Sequence, residues 1–208
     1  MQASDLIKRS FETAKSKGWH DKERSPAVIA ALFHSEVSEF VEDVRAGKPD
    51  FYESEDGAIV RGEHGEDVIL KPSGQAIELI DLAIRIGDFC GKNGWLLRFG
   101  QHDTTEGLIG MWKDESSEET REFIMRHQNF DDPIEFADNL HTDISTFSKE
   151  MRIAAFYGDV SHAQARLTHI LESLIVYFVY RGWDFDAMFA TKSTFNELRP
   201  YRHGGKSA

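Results

Sequence analysis

Apolar residues recur every three to four positions along most of this chain, and that spacing predicts helices. Residues 4–18 read as a first helix, closed by Gly18 with Lys15 and Lys17 in its last turn. Ser25 followed by Pro26 supplies an N-cap and a proline at the first helical position, opening a helix that runs to about Ala46 and stops at Gly47. Its apolar stripe is Ile29, Phe33, Phe40 and Val44. A strong helix is expected from about Ser73 to Asn93, with Ile77, Ile80, Ala83 and Ile84 on its apolar side. Residues 116–128, 133–157, 161–181 and 185–197 complete the helical candidates. The segment 47–74 breaks the pattern: it is rich in Gly and acids and punctuated by Pro49 and Pro72. Within it, Ala58 to Val60 and Val68 to Leu70 could pair as a small hairpin. With no further strand series, the expected fold class is all-α, a single-domain helical bundle over residues 1–208.

Two stretches resemble each other internally. His34-Ser-Glu-Val-Ser-Glu-Phe40 aligns with His141-Thr-Asp-Ile-Ser-Thr-Phe147, and Ala83 to Trp95 aligns with Leu171 to Trp183, both closing on Gly-Trp. The pattern reads as a duplicated helix pair, about 1–100 and 116–208, with the longer connection in the first copy.

Charge and composition narrow the function. The 208 residues are 40% hydrophobic and 12% aromatic, which supports a real core. A formal net charge of −12 argues against gripping a nucleic acid polymer, though a small polyphosphate stays open because metal ions can offset its charge. No apolar leader opens the chain, and the longest apolar run, Leu174 to Tyr180, is far below the roughly 20 residues of a membrane span. Cys90 is the single cysteine and lies in an apolar helical pattern, so it reads as an inert core residue. A cytoplasmic location follows as the expectation, with no membrane partner.

The chemistry is concentrated in two acidic pairs, Glu36-x-x-Glu39 and Glu78-x-x-Asp81. Residues three apart share a helix face, so each pair points two carboxylates in one direction. Glu36 interrupts the stripe of its helix, and Asp81 interrupts that of Ile77 and Ile84. A carboxylate facing a core costs several kcal/mol unless paired or bound to a cation. Four acids on neighbouring helices would need a divalent metal, and hard oxygen donors suit Mg²⁺ or Mn²⁺. Spacing alone fits equally an ordinary amphipathic pair with its acids at the stripe edge. Glu-x-x-His pairs of the di-iron kind are missing at inward positions. His34 reads as a packing residue, and Trp19 and Trp95 as core or helix-end residues, with stacking on a base as the other option.

Here the chain resembles a family. Lys17-Gly-Trp19, Ala31-Leu-Phe-His-Ser-Glu-Val-Ser-Glu-Phe40 with Arg45 and Gly47-Lys-Pro49 look like the opening of MazG-like nucleotide pyrophosphohydrolases. Glu78-Leu-Ile-Asp-Leu-Ala-Ile-Arg-Ile-Gly-Asp88 looks like their second metal-binding helix, and Lys192-Ser-Thr-Phe-Asn196 with Arg199-Pro-Tyr-Arg-His-Gly-Gly-Lys206 like their closing segment. The resemblance implies Mg²⁺-dependent hydrolysis of NTPs or dNTPs to the monophosphate and pyrophosphate. It also implies Glu36, Glu39, Glu78 and Asp81 as metal ligands, and Lys192, Asn196 and Arg199 as substrate-binding residues; which acid is the general base cannot be read from sequence, and Glu39 is the catalytic candidate. The stretch between Glu39 and Glu78 is longer than is usual for the family, and could cover the base pocket or an oligomer interface such as a homodimer's. In the second copy Asp143 and Thr146 stand for the first acidic pair, and Arg166 and His169 for the second, so that half is expected to act as scaffold. Two other readings stay open: a related pyrophosphatase of a phosphoribosyl-nucleotide, and a non-catalytic nucleotide-binding scaffold.

Overall fold

Caps and prolines set most of the helix starts. A computed structural model of the chain describes residues 1–61, 67–99, 103–113 and 129–202. Helix α1 spans Ala3–Ser16 and α2 Pro26–Arg45, the latter capped by Ser25 Oγ accepting from Val28 N. After the hairpin of β1 (Tyr52–Arg61) and β2 (Asp67–Ser73) come α3 (Gln75–Asn93) and α4 (Thr105–Lys113). Asp132 caps α5 (Pro133–Tyr157) through Ile134 N and Glu135 N. Helices α6 (Ser161–Arg181) and α7 (Phe185–Leu198) follow, α7 capped by Asp184 on Ala187 N. The described residues are therefore mostly helical, with one two-stranded antiparallel sheet among them. Among the described residues, no helix is long and apolar enough to cross a membrane.

Three differences from the sequence expectation stand out. The third helix begins at Gln75 and not near Ser73, because Ser73 still pairs in the sheet opposite Tyr52. The hairpin forms with Ile59 opposite Ile69 and Val60 opposite Val68, as expected, but its strands reach well beyond those triplets. Helix α4 lies where no element was expected, and the 116–128 candidate falls outside the described residues.

Helices α2, α3, α5 and α6 make the centre of the bundle: α2 packs on both α3 and α5, and α5 on α6. Their shared core is aromatic. Phe33, Phe89 and Phe147 meet edge-on or tilted at 5.5–6.4 Å between centroids, and Phe136 stacks on Tyr177 at 4.0 Å. Each such fully buried ring contributes about 2–3 kcal/mol of apolar burial. Helix α1 lies closely against α3, at Gly87. A Cβ there would sit 2.6 Å from Leu6 Cδ2, so any larger residue would push the helices apart. Helix α7 docks on α3 from the other end, which brings the C-terminal segment over the acidic face of α3.

Candidate metal and anion site

Helix geometry lines up four charged residues of α3. Glu78, Asp81, Arg85 and Asp88 follow one another at three- and four-residue steps, so they form a ladder along one face. Glu36 enters from α2, where its neighbours Phe33, Val37 and Phe40 are at most 1% exposed and leave its carboxylate 3% exposed. One oxygen each from Glu36, Glu78 and Asp81 lie within 4.8 Å of one another. Glu39, the other acid of the α2 pair, is exposed and outside that trio, yet lines the same cavity.

Burial, offset only in part by neighbouring cations, dominates the electrostatics of these acids. Burial pushes the Glu78 carboxyl up to about 8, with Asp81 adding to the effect and Lys192 opposing it. Burial likewise raises Glu36 to about 7, against the pull of Arg85 and with the push of Asp81 and Glu39. Two cations pair directly with these acids. Arg85 Nε donates to Glu36, and Lys192 Nζ lies 2.8 Å from Asp81 Oδ2. Lys192 is 2% exposed, so the residue that could have been a solvated helix tail is instead buried on the acid cluster.

All seven residues expected from the sequence resemblance line one cavity of about 370 Å³: Glu36, Glu39, Glu78 and Asp81, with Lys192, Asn196 and Arg199 from the end of α7. Burial lowers the Arg199 pKa while Asp81 raises it. The sequence reading missed Lys17, Arg24, Lys71 and Arg85, which line it too. In a chain of net charge −12, the cations of this cavity outnumber its acids. At the far end of the ladder Asp88 Oδ1 lies 2.6 Å from His20 Nε2. Burial raises Asp88 and His20 opposes that shift. Arg24 lies over the Trp19 ring at 5.5 Å, and its Nη2 is buried without a hydrogen-bond partner, as is Asn196 Oδ1. Asp88 was legible as a member of the α3 stripe, and Arg85 was legible four residues from Asp81; nothing in the sequence pointed to Lys71 or Arg24.

Other candidates fall elsewhere. Trp95 is 8% exposed and meets Phe89 edge-on at 5.2 Å, which makes it a core residue, whereas Trp19 lines the cavity. His34 stacks on His141, their Nδ1 atoms 2.8 Å apart. In the second half of the chain, Arg166 Nη1 lies 2.8 Å from Asp143 Oδ1, and His169 Nε2 lies 3.5 Å from Asp143 Oδ2. Thr146 Oγ1 donates to Thr142 O within its own helix. Arg202 is drawn away from the cavity by Asp21, at 2.8 Å, and Lys206 lies outside the described residues. Compared with family models, curated proteins and solved structures, the chain gives no match.

Proposed function

We propose that the protein hydrolyses nucleoside triphosphates, NTP or dNTP, to the monophosphate and pyrophosphate in the manner of MazG-like pyrophosphohydrolases. One observation carries the reading: two buried carboxylates, Glu36 and Glu78, and the half-buried Asp81 converge within 4.8 Å on the wall of a cavity whose other charges are mostly cationic. The cavity's volume, about 370 Å³, is in the small-molecule class.

The residues fit a hard divalent cation. Glu36, Glu78 and Asp81 offer only carboxylate oxygens, the donor set of Mg²⁺ or Mn²⁺. Two of them hold their protons far above the usual carboxylate range when no cation offsets them. Asn196 Oδ1, buried without a partner on the same wall, is an acceptor suited to a hydrated ligand. When bound, Mg²⁺ neutralises a polyphosphate and polarises its scissile phosphorus.

The chain's own residues supply the rest. Arg199 and Asn196 offer donors to phosphate oxygens, and Lys192 holds Asp81 in place while adding positive charge beside them. Glu39 is exposed within the cavity and lies outside the converging trio, so it is the acid assigned to take the proton of an attacking water. The water oxygen bonds to the α-phosphorus, the bond to the bridging oxygen breaks, and pyrophosphate leaves.

The second half of the chain supports a duplication with one active copy. Asp143, Arg166 and His169 occupy positions matching Glu36, Glu78 and Asp81, and they too converge, with a guanidinium where the first copy has a second acid. His34 and His141, matched in the alignment, touch each other, as equivalent residues do beside a twofold axis. Gly94-Trp95 and Gly182-Trp183 end α3 and α6 in the same way, both glycines left-handed and both Trp amides bonded back to the helix.

Pyrophosphate release across the eight common NTPs and dNTPs with Mg²⁺ tests the proposal. Release from at least one, lost on chelation, is expected; release from none would reject it.

A further inference from the structure

We propose that Lys71, carried by the β-hairpin, binds the distal phosphates of the substrate, so that the hairpin is a working wall of the site. The proposal rests on the triphosphate reading above and extends it to an element that the core does not need. Val60 and Val68, a cross-strand pair, are 62% and 53% exposed, so the outer part of the hairpin buries little apolar surface. Its attachments are to the site. β2 runs through Gly74 directly into the N-terminus of α3, one turn before Glu78. Arg61 Nη2 donates to Leu198 O at 3.1 Å, fastening β1 to the end of α7 that carries Asn196 and Arg199.

The hairpin is shaped around Lys71. β1 breaks register between Ser54 and Ile59, and Gly57 in that bulge has φ +79. A Cβ at Gly57 would lie 3.2 Å from Lys71 Cδ, so the lysine stem passes over the glycine on its way to the cavity. Lys192 and Arg85 are committed to Asp81 and Glu36, whereas Lys71 has no ion pair among the described residues. Its ammonium is uncommitted charge.

The cavity has a direction. From Glu78 to Asp88 the ladder on α3 is on the order of 15 Å long. Trp19, Leu32 and Ile84 give apolar wall towards the Asp88 end, where Arg24 lies over Trp19 and within electrostatic reach of Asp88. That end suits a base. The Glu78 end holds Lys71 beside the first turn of α3, whose own amides are taken by the carbonyls of Pro49, Asp50 and Gly74, so the lysine is the group left there for an anion. A triphosphate lying along the ladder with its α-phosphate at the acids puts its outer phosphates there, and a lysine point charge suits a terminal phosphate.

The test is calorimetric binding of a non-hydrolysable α,β-imido nucleoside triphosphate, and of the matching monophosphate, with Mg²⁺ present. K71A should weaken the triphosphate by about tenfold or more and leave the monophosphate and the melting temperature unchanged. K71R should retain most of the affinity. Tight triphosphate binding by wild type that K71A does not alter would overturn the role of Lys71 alone. Failure of wild type to bind the triphosphate at all would overturn it together with the reading on which it rests.

Discussion

Replacing Glu78 by Gln in the metal-free protein should stabilise it at alkaline pH, and the size of the effect follows from burial. Glu78 is 7% exposed, and its pKa rises from an ordinary 4.5 to about 8 in the fold. An acid with a raised folded pKa keeps its proton longer in the folded than in the unfolded chain. Folding is unpenalised below pH 4.5, and stability then falls as pH climbs from 4.5 towards 8. At about 1.4 kcal/mol per pH unit, the Glu78 carboxylate costs on the order of 5 kcal/mol by pH 8. Gln keeps the shape and removes the charge. His34 and His141, whose pKa values burial lowers, push stability the other way by gaining as pH rises through the histidine range. They are the same in both proteins and cancel in the difference. Thermal melts in EDTA from pH 5 to 8.5 should show E78Q close to wild type at pH 5 and roughly 10 °C above it at pH 8. Adding Mg²⁺ at pH 8 should raise wild type and leave E78Q nearly unmoved. Parallel melting curves for the two proteins across that pH range would refute the idea of a strained, buried acid cluster.

Three further outcomes are expected. E36Q, E78Q and D81N should each lower kcat/KM by more than about a hundredfold in saturating Mg²⁺ while remaining folded by circular dichroism; full activity in any one removes that residue from the metal set. R166L strips the nearer partner from Asp143, which is 9% exposed, so the denaturant midpoint should fall by an amount worth about 1–3 kcal/mol while kcat of the folded fraction stays unchanged. K192M should destabilise the metal-free protein and reduce turnover together, because the residue is 2% exposed and pairs with Asp81; a melting point equal to wild type would contradict that burial.

What the sequence made legible was local and periodic. The Ser25-Pro26 and Asp132-Pro133 starts carry their own caps, and α2, α5 and α6 begin and end within a residue or so of expectation. The acidic pairs stood out because Glu36 and Asp81 break apolar stripes, a signal that survives without any knowledge of tertiary contacts. Helix α4 was hidden because Gly107 and Gly110 dilute a nine-residue helix of low intrinsic propensity. The outer parts of β1, such as Glu53 and Ser54, have no strand propensity of their own and are ordered by pairing with Pro72 and Lys71. Lys192 was legible as a site residue through the family resemblance, but its burial was not, because that depends on α7 docking on α3. The place of Lys71 was equally unreadable, since it depends on a bulge at Gly57 fourteen positions earlier in the chain.

Product identification by ³¹P NMR tests the central claim most directly. Wild-type protein is incubated with the best-turned-over triphosphate and Mg²⁺, beside a D81N control. Resonances of monophosphate and pyrophosphate should grow in equal amounts with wild type, and neither with D81N. Orthophosphate and nucleoside diphosphate as the first products, or equal turnover by D81N, would contradict cleavage between the α- and β-phosphates at the Glu36, Glu78 and Asp81 cluster.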